Sequence, residues 1–273
     1  KPFFDATAAP LSIPLFAFMA IGPMMPWKRA ALLPVLRRLW WVALASLVAF
    51  AVAAIGMSGV LPIAATGFAV WVIGASIADI ASRVGLFRVS PRQSLSRARF
   101  LPRAAFGAAL AHAGAGISVL GLAAMSQAQH RIIDVPVGTT EHLAGYDWTL
   151  TDVHAAPGPN YQAEVATIEI RRHGHLVTVL RPSRRDFASQ HQTTSEVSIH
   201  TNLMSDLYGV LGDRHGSGAH TTYVLRLHYN PLAPWMWLGG LVMAIGGGLS
   251  LSDRRVRVGA PRRAARNTAG AVA

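Results

Sequence analysis

Four stretches of the chain are apolar for long enough to cross a bilayer, which takes about 20 residues of helix. They are Leu39–Leu61, Pro62–Ser82, Ala104–Ser126 and Leu232–Ser252. A fifth, Leu11–Trp27, is shorter and carries Pro14 and the pair Gly22–Pro23. Proline removes a helical hydrogen bond, so this segment predicts a broken or half helix covered by other protein. Between the third and fourth long runs the pattern changes. Tyr146–Val153, Ala163–Ile170, His175–Leu180, Glu196–Thr201 and Thr221–Leu227 alternate or are rich in β-branched residues, as strands do. Ala155–Tyr161 reads as a turn and Arg171–His175 as a hairpin loop around Gly174. Ser205–Gly212 (SDLYGVLG) predicts a turn or short helix with Asp206 as its cap. The expected fold class is a multi-pass α-helical membrane protein of about five transmembrane helices. An inserted β-rich domain, a small barrel or sandwich, sits between the last two.

Composition supports this reading. Of 273 residues, 52% are hydrophobic and only 14% charged, too apolar for an ordinary soluble domain. The net charge of +12 suggests nucleic acid only until it is mapped. Residues 127–231 hold eight arginines against ten carboxylates; the remainder holds 17 Lys and Arg against Asp5, Asp79 and Asp253. The cations cluster in Lys28–Arg38, Arg83–Arg103 and Arg254–Arg266, three alternate loops, which the positive-inside rule assigns to the cytoplasm. Four parts follow. Residues 1–126 are transmembrane helices 1–4 with cytoplasmic basic loops, and 127–231 form an external β domain. Residues 232–252 are the last transmembrane helix, and 253–273 a basic cytoplasmic tail. The lipid bilayer explains the charge, so no nucleic-acid partner is expected. The chain starts at Lys1 with no Met and no signal-peptide pattern, so it is expected to be the C-terminal part of a longer membrane protein. Without cysteine it has no disulfide, thiolate metal site, covalent haem attachment of its own or cysteine nucleophile.

Candidate chemistry is sparse. Of eleven histidines only His112 lies inside an apolar run, where an ionisable side chain is costly and reads as functional. At helical spacing its face carries Ala105, Ala108, Ala109, Ala115, Gly116 and Val119. Such small residues admit a second helix or a planar cofactor. Two readings stand on these residues: a metal or haem-iron ligand, or an imidazole bonded to a serine or carbonyl of a neighbouring helix. Asp79 precedes Arg83 by four residues and reads as a snorkelling helix-end ion pair rather than a proton relay. Trp27, Trp40, Trp41, Trp235 and Trp237 mark run ends as an aromatic belt. Gly240, Ala244 and Gly248 form a small-residue face expected to pack on another helix. His173 and His175 fall at a hairpin tip and read as solvated loop. No phosphate loop, HExxH, GxSxG or membrane carboxylate pair is present. No catalytic residue is assigned, and the chain alone is not expected to be catalytic.

Four segments carry a resemblance: IGPMMPW (Ile21–Trp27), AHAGAGISVLG (Ala111–Gly121), SDLYGVLGD (Ser205–Asp213) and NPLAPWMWLGGLVMAIGGGLSLSDRR (Asn230–Arg255). They resemble, in order, elements of the CcmF/CycK/NrfE family, membrane subunits of the bacterial System I cytochrome c haem lyase. The resemblance covers the C-terminal portion of that family. It implies that His112 ligates the iron of a transmembrane b-type haem, making haem b the cofactor. It also implies inner-membrane location with residues 127–231 periplasmic, and transfer of haem to the Cys-x-x-Cys-His thiols of apocytochrome c. The implied partners are haem-carrying CcmE, a CcmH-type subunit and apocytochrome c. His112 would stand roughly 12 Å from the inner end of its helix, a depth suited to electron relay. The family's other transmembrane haem ligand, its external histidines and its tryptophan-rich motif have no match in this sequence. Two other classes stay open beside this one: a haem transporter or channel subunit, and a non-catalytic assembly scaffold in which His112 is structural.

Overall fold

A computed structural model describes residues 2–25, 32–187 and 192–253. Trp27, His191, the Lys28–Ala31 part of the first basic cluster and the Arg254–Arg266 tail lie outside them. The helices are α1 (Pro2–Ile21), α2 (Leu32–Gly56), α3 (Val60–Val84), α4 (Pro91–Arg99), α5 (Arg103–Ala124) and α6 (Ala233–Leu251). Four of them, α2, α3, α5 and α6, are long and apolar enough to cross a membrane. The fifth predicted segment differs. α1 runs unbroken past Pro10 and Pro14, ends in a short 3-10 turn over Gly22–Met24, and is apolar only over Leu11–Met24. The short helix α4 escaped the sequence reading although it carries a start signal: Ser90 accepts the Gln93 amide, and Pro91 fills the first position.

Packing is set by glycine. Along α5, Gly107, Gly114 and Gly121 recur every seven residues and face α6 directly. A methyl at Gly114 would meet the Gly239 carbonyl and Met243 amide at 2.7 Å, and one at Gly121 would meet the Met236 amide at 2.7 Å. Gly239 and Gly246 close the seam from the other side, against the backbones of Gly114 and Gly107. Ser118 Oγ donates to the Met236 carbonyl across it (2.9 Å). The expected face is therefore corrected. Gly240 and Gly248 look into open space; the spacing identifies small residues, not the side on which a partner helix lies. At the lower end, Asp253 after α6 accepts the Ala104 amide in the first turn of α5 (3.0 Å). On the opposite face of α5, Gly116 rests against Ala69 and Ile73 of α3. α3 in turn packs on α1 and α2, with Leu39, Val42, Ala75 and Ala78 buried and the Trp71 indole donating to the Ala17 carbonyl (3.2 Å).

Between α5 and α6 stands a β-sandwich. One sheet has the order β1 (Gln129–Val135), β10 (Thr222–Pro231), β9 (Ser205–His215), β8 (Ser198–Thr201). The other is β2 (Thr140–Leu143), β3 (Tyr146–Ala155), β4 (Gln162–Arg172), β6 (Ser183–Phe187), β7 (Gln192–Glu196), with β5 (His175–Leu180) also on β4. All pairings are antiparallel. The inner faces bury Trp148, Leu150, Ile168, Ile170, Leu207, Leu211 and Leu227. The alternative of a closed barrel is not adopted. SDLYGVLG is a further correction: it is strand, not turn or helix. Leu207 and Leu211 point into the core, and Gly209 lets Ile168 and Leu180 approach from the facing sheet (3.3 and 3.4 Å from a methyl placed there).

The seam predicts a sharp contrast between adjacent glycines. Gly239→Ala should lower the melting temperature of the detergent-solubilised full-length protein, costing about 1–3 kcal/mol as overpacking does. Gly240→Ala should cost nothing. Equal melting temperatures for the two variants would refute the seam.

Candidate functional site around His112

His112 lies nine residues into α5, roughly 14 Å along the helix, on the side turned away from α6. It is half-buried at a crevice shared by three elements. Met19, Ala20 and Pro23 come from α1 and its closing turn, Ala75, Ser76 and Asp79 from α3, and Ala109 from α5. The Gly22–Pro23 turn and the histidine, distant in sequence, thus meet. What joins them is Asp79. Its carboxylate is buried (6% exposed) and both oxygens accept from Arg83 Nε at 2.9 Å. The same guanidinium donates through Nη2 to the Pro23 carbonyl (3.2 Å). Asp79–Arg83 is an ion pair as the spacing predicted: the carboxylate is buried at the His112 crevice, while the Arg83 side chain stays 37% exposed. A buried carboxylate needs such a partner; the arginine also fixes the turn after α1.

Among the described residues none makes a hydrogen bond with His112. The serine-to-carbonyl link expected of a structural imidazole is present on α5, but Ser118 supplies it, and Ser76 is turned to the Val72 carbonyl of its own helix (2.8 Å). No group of three or more His, Cys, Asp or Glu positioned for a metal ion occurs among the described residues. A single imidazole cannot hold a bare divalent cation, but it can fill an axial position on a macrocycle that brings its own equatorial nitrogens. The donor set therefore fits haem and not a free metal. The crevice, about 10 Å3, is at the limit for one water molecule. A macrocycle would have to lie at its rim.

The external histidines are arranged differently. His130, His228 and Tyr208 stack across β1, β10 and β9, with His130–His228 and Tyr208–His228 centroids 5.9 and 4.3 Å apart. They stand next to the strand ends that join α5 and α6. Burial, then the neighbouring His130 and Arg226 charges, pushes the His228 pKa below its usual range. His142, His154 and His215 each pair with a carboxylate, Asp147, Asp152 and Asp134. Asp134 raises the pKa of His215 by accepting its hydrogen bond; Thr222 and His215 lower that of Asp134. His173 and His175 sit at the β4–β5 turn as expected, with His173 at φ 50°. Below the sandwich, Asn202 Oδ1 accepts the Met204 and Ser205 amides (2.7 and 2.9 Å). This turn offers the Leu203 carbonyl to the Trp235 indole (2.8 Å) and the Met204 carbonyl to the Leu232 amide (2.8 Å). Trp235 is thus a latch between domain and helix, whereas Trp237 is 78% exposed. Sequence reasoning missed the stack and the latch, since both depend on cross-strand register.

Residues 126–231 match the family described as the CcmF C-terminal beta-sandwich. The cytochrome c-type biogenesis protein CycK of Bradyrhizobium diazoefficiens is 39% identical over 265 residues, 96% of this chain and 40% of that protein. Over nearly its whole length the chain is thus similar to CcmF/CycK proteins. The biogenesis protein ccl1 of Rhodobacter capsulatus is 37% identical over 267 residues, 97% of this chain and 39% of that one. The chain thus spans about two fifths of the length of these relatives. The solved cytochrome c haem lyase CcmF has the same fold, with TM-score 0.72 at 22% identity over 92% of this chain and 40% of the other. These relatives are named for cytochrome c-type biogenesis, and four helices of this chain are long and apolar enough to cross a membrane.

The histidine environments make a titration prediction. By NMR of ring-labelled protein, His215 should titrate above 6.5 and His228 below it. Asp134→Asn should lower the His215 value, and His130→Ala should raise that of His228. The His215–Asp134 clasp stabilises the fold fully below pH 6.5 and fades as pH rises through the raised His215 value; on the acid side it fades below 3.8 as Asp134 protonates. Unchanged titrations in both variants would show these contacts to be absent in solution.

Proposed function

We propose that this chain is part of a haem lyase subunit in which His112 is an axial ligand of a transmembrane b-type haem. The observation that carries the reading is the isolation of His112. It is a lone imidazole in a crevice of small residues, without a hydrogen-bond partner among the described residues, in a chain whose relatives are named for cytochrome c biogenesis. A bound haem would supply one-electron redox chemistry. The residues on this chain do the rest. Ala20, Ala75 and Ala109 leave the imidazole accessible from the rim. Gly116 lets α3 close on α5, and the Asp79–Arg83 pair holds α1 against the site and sets its local field.

In this reading residues 127–231 are periplasmic in a bacterial inner membrane, and the basic segments are cytoplasmic. The sandwich presents its exposed face to protein: a CcmH-type subunit, a haem-carrying CcmE or apocytochrome c. Haem then reaches the Cys-x-x-Cys-His thiols on that side, while His112, in the inner half of α5, serves electron delivery to the haem that is joined. Two charges close to a buried redox centre shift its potential because the local dielectric is low.

Reduced-minus-oxidised spectra of the full-length protein test the assignment. His112→Ala should abolish or strongly diminish the b-type signal, and added imidazole should restore part of it. A normal signal in His112→Ala would sink the assignment. Asp79→Asn should keep the signal but move its midpoint potential, because Arg83 is left unneutralised. For topology, an alkaline phosphatase fusion at Gly158 should be active and one at Arg263 inactive.

A further inference from the structure

A second cleft lies far from His112 in function and composition. It opens between the first turns of α2 and the end of α3, has a volume of about 510 Å3, and faces outward. Arg37, Arg38 and Arg88 line it, with Trp40, Trp41 and Phe87 beside them. No carboxylate lines it, and among the described residues none of the three arginines forms an ion pair. One anchor is visible: Arg38 Nη1 donates to Ser82 Oγ at 3.2 Å, which orients that guanidinium and leaves its other donors open. Three like charges gathered without a counter-ion repel each other, and at this exposed position an anion would relieve the repulsion.

The aromatic residues state which kind of anion. Trp40 and Trp41 are 64% and 43% exposed, and Phe87 is 96% exposed. Phe87 is also held at φ 60°, just after the Gly85 cap of α3 at φ 72°. A bulky side chain in the left-handed region is an outlier; here it belongs to the turn that closes α3 and sets an exposed phenyl ring at the rim of the cleft. Arginine level with tryptophan at the end of an apolar helix pair marks the headgroup layer of a bilayer. A small soluble anion would satisfy the arginines and leave the rings in water; a phospholipid satisfies both.

We propose that this cleft is a binding site for an anionic phospholipid, phosphatidylglycerol or cardiolipin, of the leaflet at the basic end of the bundle. The phosphate sits among Arg37, Arg38 and Arg88, which suit phosphate better than lysine does because the guanidinium fork binds it through two parallel hydrogen bonds. The acyl chains run along Trp41 and Phe87. The site needs the membrane setting of the four apolar helices but not the haem reading, so either can fail alone.

The test uses the full-length protein in nanodiscs of phosphatidylcholine doped with phosphatidylglycerol or cardiolipin, released into detergent for native mass spectrometry. The wild type should retain at least one anionic phospholipid in preference to phosphatidylcholine. The triple variant Arg37→Gln/Arg38→Gln/Arg88→Gln should lose that retention at least tenfold, while elution volume and b-type spectrum stay as in the wild type. Arg→Lys at the three positions should restore it in part. Equal retention in the Gln variant overturns the proposal, as does equal retention of phosphatidylcholine. A photo-crosslinker at Trp41 should tag lipid. Cross-linking to protein instead would show that a polypeptide covers the cleft and would likewise overturn it.

Discussion

The contact on which the rest depends is backbone against backbone, along the seam of α5 and α6. In a bilayer there is no hydrophobic drive to bring two apolar helices together, so close approach and interhelical hydrogen bonds must do it. Gly107, Gly114 and Gly121 on one side and Gly239 and Gly246 on the other supply the first, Ser118 and Asp253 the second. Two consequences follow from this one contact. The strands that continue these helices leave the membrane side by side, so β1 and β10 pair from Gln129↔Tyr229 onward and the sandwich starts from a fixed edge. The opposite face of α5, with His112 and Gly116, is turned towards α3 and α1.

Much of the architecture was legible from the pattern of apolar positions, because spans and central strands are defined by periods that a sequence displays directly. The helices α2, α3, α5 and α6 fall close to the four long runs, and β3, β4, β5 and β10 close to four of the alternating segments. The misreadings share a cause. Small and polar residues say that something approaches closely or turns, but not from where. Gly240 and Gly248 satisfy a four-residue spacing on a face that nothing touches, while Gly239 and Gly246 use seven. Asp206 and Gly209 have turn chemistry, yet Leu207 and Leu211 on the inner face decide the segment, because core burial outweighs local preference. The strands β1, β2, β6 and β7 are polar at most positions and are held by their neighbours rather than by their own pattern.

The site was legible in pieces. His112 stood out by its cost, Gly22–Pro23 by its helix-breaking residues and Asp79–Arg83 by spacing. Nothing in one dimension says that Pro23 accepts a hydrogen bond from the same arginine that neutralises Asp79, or that both border the histidine. That junction also gives the crevice rigidity. The Trp71–Ala17 and Arg83–Pro23 hydrogen bonds tie α1 to α3 at two levels, one above the other. A side chain on α5 therefore meets a wall set by three elements rather than by one loosely packed helix.

The contrast between His112 and the external histidines carries the functional argument one step further. Number alone would favour residues 127–231, which hold the other ten histidines of the sequence. Yet three of them, His142, His154 and His215, are engaged by carboxylates, and His130 and His228 stack almost parallel (21°) instead of converging on a common point. A carboxylate partner orients an imidazole and strengthens it as a ligand, but these three pairs are exposed and no group of three or more such residues converges among the described residues. His112 has no hydrogen-bond partner among the described residues and is the one histidine of the sequence inside an apolar run. The case for His112 thus rests on where it stands and not on the number of histidines elsewhere.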